Sequence, residues 1–130
     1  MKTVVVIPHH KDIEEKDFSS LKSIERCLGY LDKYFVCPEG IDLNNLKRYF
    51  GNFNVMRLSA KYFRSEWMYN HLLKKRLFYS SFLDYDYMLL VQTDALILQD
   101  NLSEWIRRGF DFIGAPLFEG YSKPLEPMKM

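Results

Sequence analysis

Residues 4–8 read Val-Val-Val-Ile-Pro, and this run decides the fold class. The four residues before the proline are apolar and β-branched, so neither side of the segment is left polar for solvent. Such a run is typical of a central strand in a parallel sheet that is covered on both faces. Pro8 ends the run, and a first strand is predicted there.

Strand-like and helix-like segments alternate along the rest of the chain. Ser65 can cap a long helix, and Asn101 with Glu104 resembles a capping box for a short one. Strict alternation of this kind predicts an α/β domain with a mostly parallel sheet. Besides the first strand, the predicted elements are strands at residues 34–37, 53–58, 88–98 and 110–115, and helices at residues 21–31, 42–51, 65–83 and 101–109.

Composition and charge limit the class of protein. The chain has 130 residues, of which 48% are hydrophobic and 16% aromatic, so one domain with a sizeable core is expected. The formal net charge is +1, which argues against nucleic acid or an anionic membrane as the main partner. No segment approaches the roughly 20 apolar residues that span a bilayer. Cys27 and Cys37 form no disulfide framework, and a soluble cytoplasmic protein is predicted.

Residues 1–130 are predicted to form a single α/β domain that is incomplete at its C-terminus. The segment from Pro116 onward is irregular in pattern, and the chain stops where another helix or strand is expected. An incomplete domain leaves apolar surface uncovered. We therefore expect Phe112, Leu117 and Phe118 to be partly exposed or covered by a second copy of the chain.

The carboxyl ends of the predicted strands carry polar residues. In open α/β sheets, ligands bind outside these ends. Pro8 and His9 follow the first strand, together with His10. The two histidines point to opposite sides of an extended chain, so they cannot easily share one metal. The one that faces the cleft could bind a phosphate or a base, and a polar loop at a strand end is the alternative.

Asp94 lies within the apolar stretch Met88–Leu98, which reads MLLVQTDALIL. An ionised carboxylate taken out of water without a partner costs several kcal/mol. It therefore needs a cation, hydrogen-bond donors or solvent at a cleft. Mg²⁺ and Mn²⁺ prefer carboxylate oxygen, which makes Asp94 a candidate metal ligand. The alternative is that Asp94 accepts main-chain N–H bonds in a bend between two apolar runs.

Four further residues could contact a nucleotide. Glu39 lies in a tight turn after the second strand and could accept the N–H of a nucleobase. Tyr69 could stack on a base, and Asn70 could bond a ribose or phosphate. Arg64 precedes the same helix, whose N-terminus also attracts anions. The alternatives are a surface turn for Glu39, the core for Tyr69 and a surface position for Arg64. The sequence contains no GxSxG, Walker, GxGxxG or HExxH motif.

Five segments carry a family resemblance. In order along the chain, they resemble a family of uncharacterised glycosyltransferase-like proteins and, more distantly, nucleotide-sugar glycosyltransferases with the GT-A fold. The resemblance covers Thr3 to Tyr121. The segments are VVVIPHHK, YFVCPEGIDL, KYFRSEWMYNHLL, DYDYMLLVQTDALILQDNLSEW and GFDFIGAPLFEGY.

The resemblance implies a Rossmann-like sheet that binds a nucleoside diphosphate sugar, usually with Mn²⁺ or Mg²⁺. Glycosyl transfer to a hydroxyl acceptor is the implied reaction, and the acceptor is not identified. By position, Asp94 matches the metal motif of that fold. The residues implied to line or neighbour the nucleotide pocket are Pro8, His9, Glu39, Tyr69 and Asn70.

The sequence departs from the family pattern in two ways. Gln92-Thr93-Asp94 has one carboxylate where the Asp-x-Asp motif has two, and Asp100 lies six positions further on. Relatives continue past GAPLFEGY into a segment that builds the acceptor site, so no catalytic base is assigned. Two other functions stay open: a nucleotide-binding module without catalysis, and an α/β interaction domain in which Asp94 is structural.

Overall fold

The computed structural model describes residues 2–114, which contain a four-stranded parallel sheet with helices beside it. The strand order is β3-β2-β1-β4, and every neighbouring pair is parallel. The predicted α/β class with a parallel sheet is therefore confirmed, and it is compatible with a Rossmann-like arrangement. The strands are β1 (Thr3–Pro8), β2 (Asp32–Pro38), β3 (Asn54–Leu58) and β4 (Tyr87–Leu90).

β1 is the interior strand that the Val-Val-Val-Ile run predicts. Val4 pairs with Asp32 of β2 on one side and with Met88 of β4 on the other. The side chains from Val4 to Ile7 are all 0% exposed, so both faces of β1 are covered. Burial on both faces explains why the run has no alternation of apolar and polar residues.

The order of the strands reverses beside β1. From β1 the chain proceeds outward to β2 and then to β3, and it later returns to form β4 on the opposite side of β1. β1 and β4 are therefore neighbours in the sheet although they are far apart in the chain. In open α/β sheets this arrangement leaves a crevice at the carboxyl ends of the two strands.

Helices connect the strands. The sequence-predicted helix at residues 21–31 and the one at 101–109 are both found, with bounds shifted by a few residues. The segment predicted as a helix at 42–51 contains only a 3-10 helix, Asn44–Arg48. The α-helices are α1 (Phe18–Leu28), α2 (Glu66–Leu73), α3 (Arg76–Ser80) and α4 (Leu102–Arg107), and the other 3-10 helices are Glu15–Asp17 and Ala60–Phe63.

One face of the sheet packs against α2 and α3. Val4, Val6 and Val36 form a buried cluster there with residues of the two helices. Aromatic edge contacts add to the packing, since the Phe82 ring lies 5.7 Å from that of Phe78 and 5.2 Å from that of Tyr34. The other residues of the buried cluster are Leu72 of α2, Phe78 of α3 and Phe82 in the turn after α3.

The opposite face carries the alternate strand residues. Alternation along β1 and β2 places Val5, Ile7 and Phe35 there, and all three are fully buried. The Phe35 ring lies 5.5 Å from the ring of Phe50 and 5.6 Å from the ring of Phe53. Leu21, Ile24 and Leu28 of α1 are equally buried and belong to no part of the first cluster, so α1 covers this second face.

The long helix predicted from Ser65 is interrupted. Ser65 does cap α2, since its hydroxyl accepts the Met68 N–H at 3.2 Å. The backbone becomes extended at Lys75, and α3 begins one residue later. In an unbroken helix, Phe78 would point roughly 120° away from Leu72. The break turns Phe78 toward the sheet, so tertiary packing overrides the local helical pattern.

β4 is shorter than the predicted strand at 88–98. Its pairing with β1 continues to Val91, whose N–H donates to the Val6 carbonyl at 2.9 Å. Alternate residues of β1 donate to alternate neighbours, and the His9 N–H donates to the Val36 carbonyl of β2. The next N–H of β1 that would donate to β4 is therefore that of residue 8. Residue 8 is a proline and has no N–H. The ladder therefore stops, and the chain turns at residues 92–95.

The strand predicted at 110–115 is not found in residues 110–114, and Ala115 lies outside the described residues. Phe112 is 86% exposed, in line with expectation, whereas Leu117 and Phe118 also lie outside the described residues. The chain divides into two compact units between Asp100 and Asn101. The prediction of one domain over residues 1–130 stays a prediction. None of the described helices has the length and apolar character needed to cross a membrane.

Candidate functional site

A cleft of about 840 Å³ lies at the carboxyl ends of β1 and β4, where the strand order reverses. One wall is formed by Pro8, His9 and His10, which end or follow β1. A second wall is formed by residues 92–94, which follow β4, and a third by residues 63–66 with Tyr69 and Asn70. The sheet topology thus brings three distant segments of the chain together around one hollow.

Six of the seven residues that the sequence nominates line this cleft. They come from the end of β1, from the start of α2 and from the turn after β4. Glu39 is not among the lining residues. It is exposed in the turn that follows β2, where Gly40 adopts a φ of +90°. Its assignment to a nucleotide stays a prediction. The six lining residues are Pro8, His9, Arg64, Tyr69, Asn70 and Asp94.

Asp94 lies in a turn and not inside a strand. The turn is closed by the Ala95 N–H, which donates to the Gln92 carbonyl at 3.1 Å. The Asp94 side chain is exposed in the cleft lining, so of the three environments expected for this carboxylate the structure shows solvent at a cleft. The physical reason is the early end of β4 at Leu90, which leaves the segment after it without a strand partner. An exposed carboxylate at a cleft remains available to a ligand.

His9 and His10 have opposite surroundings. His9 is 8% exposed, and its Nδ1 lies 3.2 Å from the Thr93 hydroxyl oxygen. Its Nε2 lies 3.5 Å from a carboxylate oxygen of Asp17, which is itself buried. His10 is exposed. Its pKa is lowered from the usual value, mainly by partial burial and then by the positive charges of His9, Lys11 and Lys16, while Asp17 opposes the shift.

Asp17 and Thr93 were not nominated from the sequence. Asp17 precedes α1 and makes no side-chain capping hydrogen bond to it, and its carboxylate belongs to a capping box with Glu14 at the 3-10 helix Glu15–Asp17. It instead accepts the Glu14 N–H at 2.9 Å and faces His9. Residues 9, 17 and 93 belong to three separate elements, so no local pattern connects them. The only sequence signal for Thr93 is its position next to Asp94.

Tyr69 lies on the first turns of α2 with a buried hydroxyl oxygen. Burial raises the pKa of Tyr69, the side chain of Gln92 opposes the shift, and Tyr79 adds to it. The phenol is therefore neutral at pH 7 and can donate a hydrogen bond into the cleft. The ring also gives the cleft an apolar surface on which a flat group could stack.

Charged groups of both signs line the cleft. The bases are Lys11, Lys16 and Arg64, whereas five carboxylates line the same hollow. Lys16 lies 3.6 Å from Glu14, so part of its charge is compensated. An anionic ligand would meet Arg64 and the N-terminus of α2 on one wall. The excess of carboxylates means that such a ligand would gain from an accompanying cation.

The residues described do not form a closed metal site. No group of three or more His, Cys, Asp or Glu side chains in residues 2–114 is arranged to hold an ion. Among these residues Asp94 is therefore not part of a set of three or more such donors. Mg²⁺ is commonly held by one or two carboxylates together with substrate phosphates and water. The donor set fits an ion shared with a phosphate ligand and does not fit an ion held by these side chains alone.

Comparison with known proteins identifies a family. Neither a curated protein nor a solved structure matches the chain. A model of a protein family of unknown function, DUF5672, matches residues 52–129, which is more than half of the chain. The matched region begins before β3 and includes Arg64, Tyr69, Asn70 and Asp94 of the cleft. The chain therefore belongs to the DUF5672 family of proteins of unknown function.

Proposed function

We propose that this chain is a glycosyltransferase, or the donor-binding part of one, that takes a nucleoside diphosphate sugar in the cleft. The observation that carries the proposal is the convergence of Pro8, His9, Arg64, Tyr69 and Asp94 at the point where the strand order reverses. Nucleotides characteristically bind to α/β sheets at such a point. The family resemblance of the sequence supports the same class of ligand.

The walls of the cleft supply groups suited to each part of the donor. Arg64 and the N-terminus of α2 favour the diphosphate, because both present positive charge or N–H donors. The Tyr69 ring offers a stacking surface for the base, and Asn70 can hydrogen-bond a ribose or phosphate. Asp94 is proposed to hold Mn²⁺ or Mg²⁺ together with phosphate oxygens and water.

The proposed reaction is the transfer of a glycosyl group to a hydroxyl acceptor. The acceptor oxygen forms a bond to the anomeric carbon, and the bond from that carbon to the diphosphate oxygen breaks. The nucleoside diphosphate leaves with the electron pair, and the acceptor proton passes to a base. A bound divalent ion would neutralise charge on the leaving diphosphate. We place the protein in the cytoplasm, which the free thiols of Cys27 and Cys37 support.

Calorimetry with UDP and with GDP, each with and without Mn²⁺, tests donor binding. Asp94→Asn keeps the size of the side chain and removes its charge, so it should weaken the Mn²⁺-dependent binding about tenfold or more. Glu39→Gln is the matched control, because it neutralises an exposed turn carboxylate outside the cleft. It should retain the wild-type affinity.

Three results would count against parts of the proposal. Absence of binding by either nucleotide under all conditions would contradict a nucleotide-sugar donor. Equal Mn²⁺-dependent affinity of the wild type and Asp94→Asn would remove Asp94 from the metal site. Binding without transfer or hydrolysis of any UDP- or GDP-sugar would favour the alternative of a nucleotide-binding module without catalysis.

A further inference from the structure

Three polar side chains from separate elements meet beside the cleft. His9 follows β1, Asp17 ends the 3-10 helix Glu15–Asp17, and Thr93 lies in the turn after β4. The His9 ring joins the other two, with Nδ1 at 3.2 Å from the Thr93 hydroxyl and Nε2 at 3.5 Å from the Asp17 carboxylate. All three side chains line the cleft. We refer to Asp17, His9 and Thr93 as the relay.

The two ionisable members of the relay are buried. His9 is 8% exposed and Asp17 4% exposed. Burying an ionisable pair gives little net stability compared with apolar side chains of similar size. The 3.5 Å separation is longer than an ordinary hydrogen bond, and His9 Nε2 has no other hydrogen-bond partner among residues 2–114. Asp17 also forms a capping box with Glu14, which accounts for an aspartate at this position but not for its contact with His9.

Two members of the relay are fixed by the main chain. The His9 N–H continues the sheet by donating to the Val36 carbonyl at 2.9 Å. The Asp17 carboxylate accepts the Glu14 N–H at 2.9 Å, which holds it in its own turn. The negative charge of Asp17 favours a proton on His9 Nε2, and in the neutral ring with that tautomer Nδ1 can accept a hydrogen bond from the Thr93 hydroxyl. The His9 imidazole thus connects Asp17, whose carboxylate is held by the Glu14 N–H, to Thr93.

Thr93 is the member that lies in a turn. It lies in the turn from Gln92 to Ala95, beyond the end of the β4 ladder. The far side of this turn is tied to α1, where the Ser23 hydroxyl accepts the Ile97 N–H at 3.0 Å. The hydrogen bond to His9 ties the near side. Asp94 is the next residue in the same turn, so a change in the conformation of Thr93 would displace it.

We propose that His9 and Asp17 are positioning residues that, through Thr93, hold the Asp94 turn in its ligand-binding conformation. The part of this inference that concerns ligand affinity rests on the proposed function. Partners that orient a metal or phosphate ligand from behind commonly change affinity by tenfold or more when they are removed. The relay would therefore affect the ligand through the Asp94 turn, in addition to any contact that its side chains make as part of the cleft lining.

Thr93→Val removes the hydroxyl and keeps the shape, whereas Thr93→Ser keeps the hydroxyl. Thr3→Val is the matched control, because it makes the same change at the amino end of β1, away from the cleft. Thr93→Val should weaken binding of UDP with Mn²⁺ about tenfold, and Thr93→Ser should restore the affinity to within about twofold. His9→Gln should behave as Thr93→Val does, and Thr3→Val should bind as the wild type does.

Amide hydrogen exchange in the absence of ligand makes the test independent of the nucleotide. The Ala95 N–H closes the turn and should exchange faster in Thr93→Val and in His9→Gln, but not in Thr3→Val or Thr93→Ser. If the Ala95 N–H exchanges at the wild-type rate in both Thr93→Val and His9→Gln, the proposal that the relay holds the turn is wrong. Faster exchange with unchanged UDP affinity would overturn its role in binding. If Ala95 exchanges faster in both variants and the wild type binds no nucleotide, the relay is supported and only the proposed function is contradicted.

Discussion

At the residue scale, His9 and His10 show how one peptide bond separates two environments. The end of β1 is extended, so consecutive side chains point to opposite sides. His9 is directed among Asp17 and Thr93, whereas His10 faces solvent near Lys11 and Lys16. Partial burial and neighbouring positive charge together lower the pKa of His10, which makes its protonated form unfavourable in the folded protein.

The lowered pKa of His10 predicts a pH dependence of stability. The unfolded chain binds a proton at His10 more readily than the folded chain does, so the free energy of unfolding should rise with pH across the region just below about 6.5. His10→Gln should flatten this part of the profile, as measured by urea unfolding at several pH values. At about pH 8, where His10 is neutral in both states, the variant and the wild type should be equally stable. A wild-type slope in the variant would contradict the assignment.

Sequence reasoning found the cleft residues that carry their own local signal. Asp94 was nominated because a charge interrupts an apolar run, and Arg64 because it precedes a helix start. Asp17 and Thr93 have ordinary local explanations, as a helix start and as a turn residue. Their contact through His9 depends on three segments meeting in space, which one sequence without a strand order does not reveal.

At the element scale, α2 and α3 show where local pattern and packing disagree. The pattern from Ser65 to Leu83 predicts one helix, and it correctly indicates the cap at Ser65. The break at Lys75 follows from the need to bury Phe78 beside Leu72. Similarly, the apolar residues after Leu90 predict a longer β4, but hydrogen-bond pairing with β1 ends at Pro8. Both differences come from a neighbouring element.

The break makes a testable distinction between adjacent residues of α3. Phe78 is 5% exposed, and Leu77 is 78% exposed. Phe78→Ala should lower the free energy of unfolding by about 3–5 kcal/mol, because it removes a ring from the cluster and leaves a cavity. Leu77→Ala should change it by no more than about 0.5 kcal/mol. Urea unfolding measures both, and similar losses would show that α3 is packed differently.

At the scale of the whole molecule, the strand order decides where a ligand can bind. The order β3-β2-β1-β4 places the cleft at one edge of the sheet, between the ends of β1 and β4. The alternation of elements predicted a parallel sheet, but it did not say on which side of β1 the later strand would pair. Glu39 was nominated from its turn at the end of the second strand and from the family resemblance, and β2 lies on the side of β1 away from β4.

Ligand protection of main-chain amides should follow this geometry. Addition of UDP with Mn²⁺ is expected to slow amide exchange at residues 64–69 and 92–95, which border the cleft. Residues 29–33 and 52–54 lie at the amino ends of β2 and β3, at the opposite edge of the sheet, and serve as an internal control. Hydrogen exchange with mass spectrometry resolves these segments. Protection confined to the opposite edge would move the ligand away from the cleft.

Self-association remains a prediction at this scale. Phe110, Phe112 and Ile113 are each more than half exposed. Sedimentation over a range of concentrations would detect a dimer, and Phe112→Ser should weaken it. A clean monomer at every concentration would contradict association through this surface.

Pro8 has a consequence that reaches beyond secondary structure. Pro8 has no N–H at the position where β1 would next donate to β4. The segments after β1 and β4 therefore separate because of a covalent feature of the chain, and no ligand is needed to separate them. The cleft is thus preformed in the absence of a ligand. Binding to such a cleft requires little rearrangement of the backbone, so the association rate should be governed by diffusion and orientation.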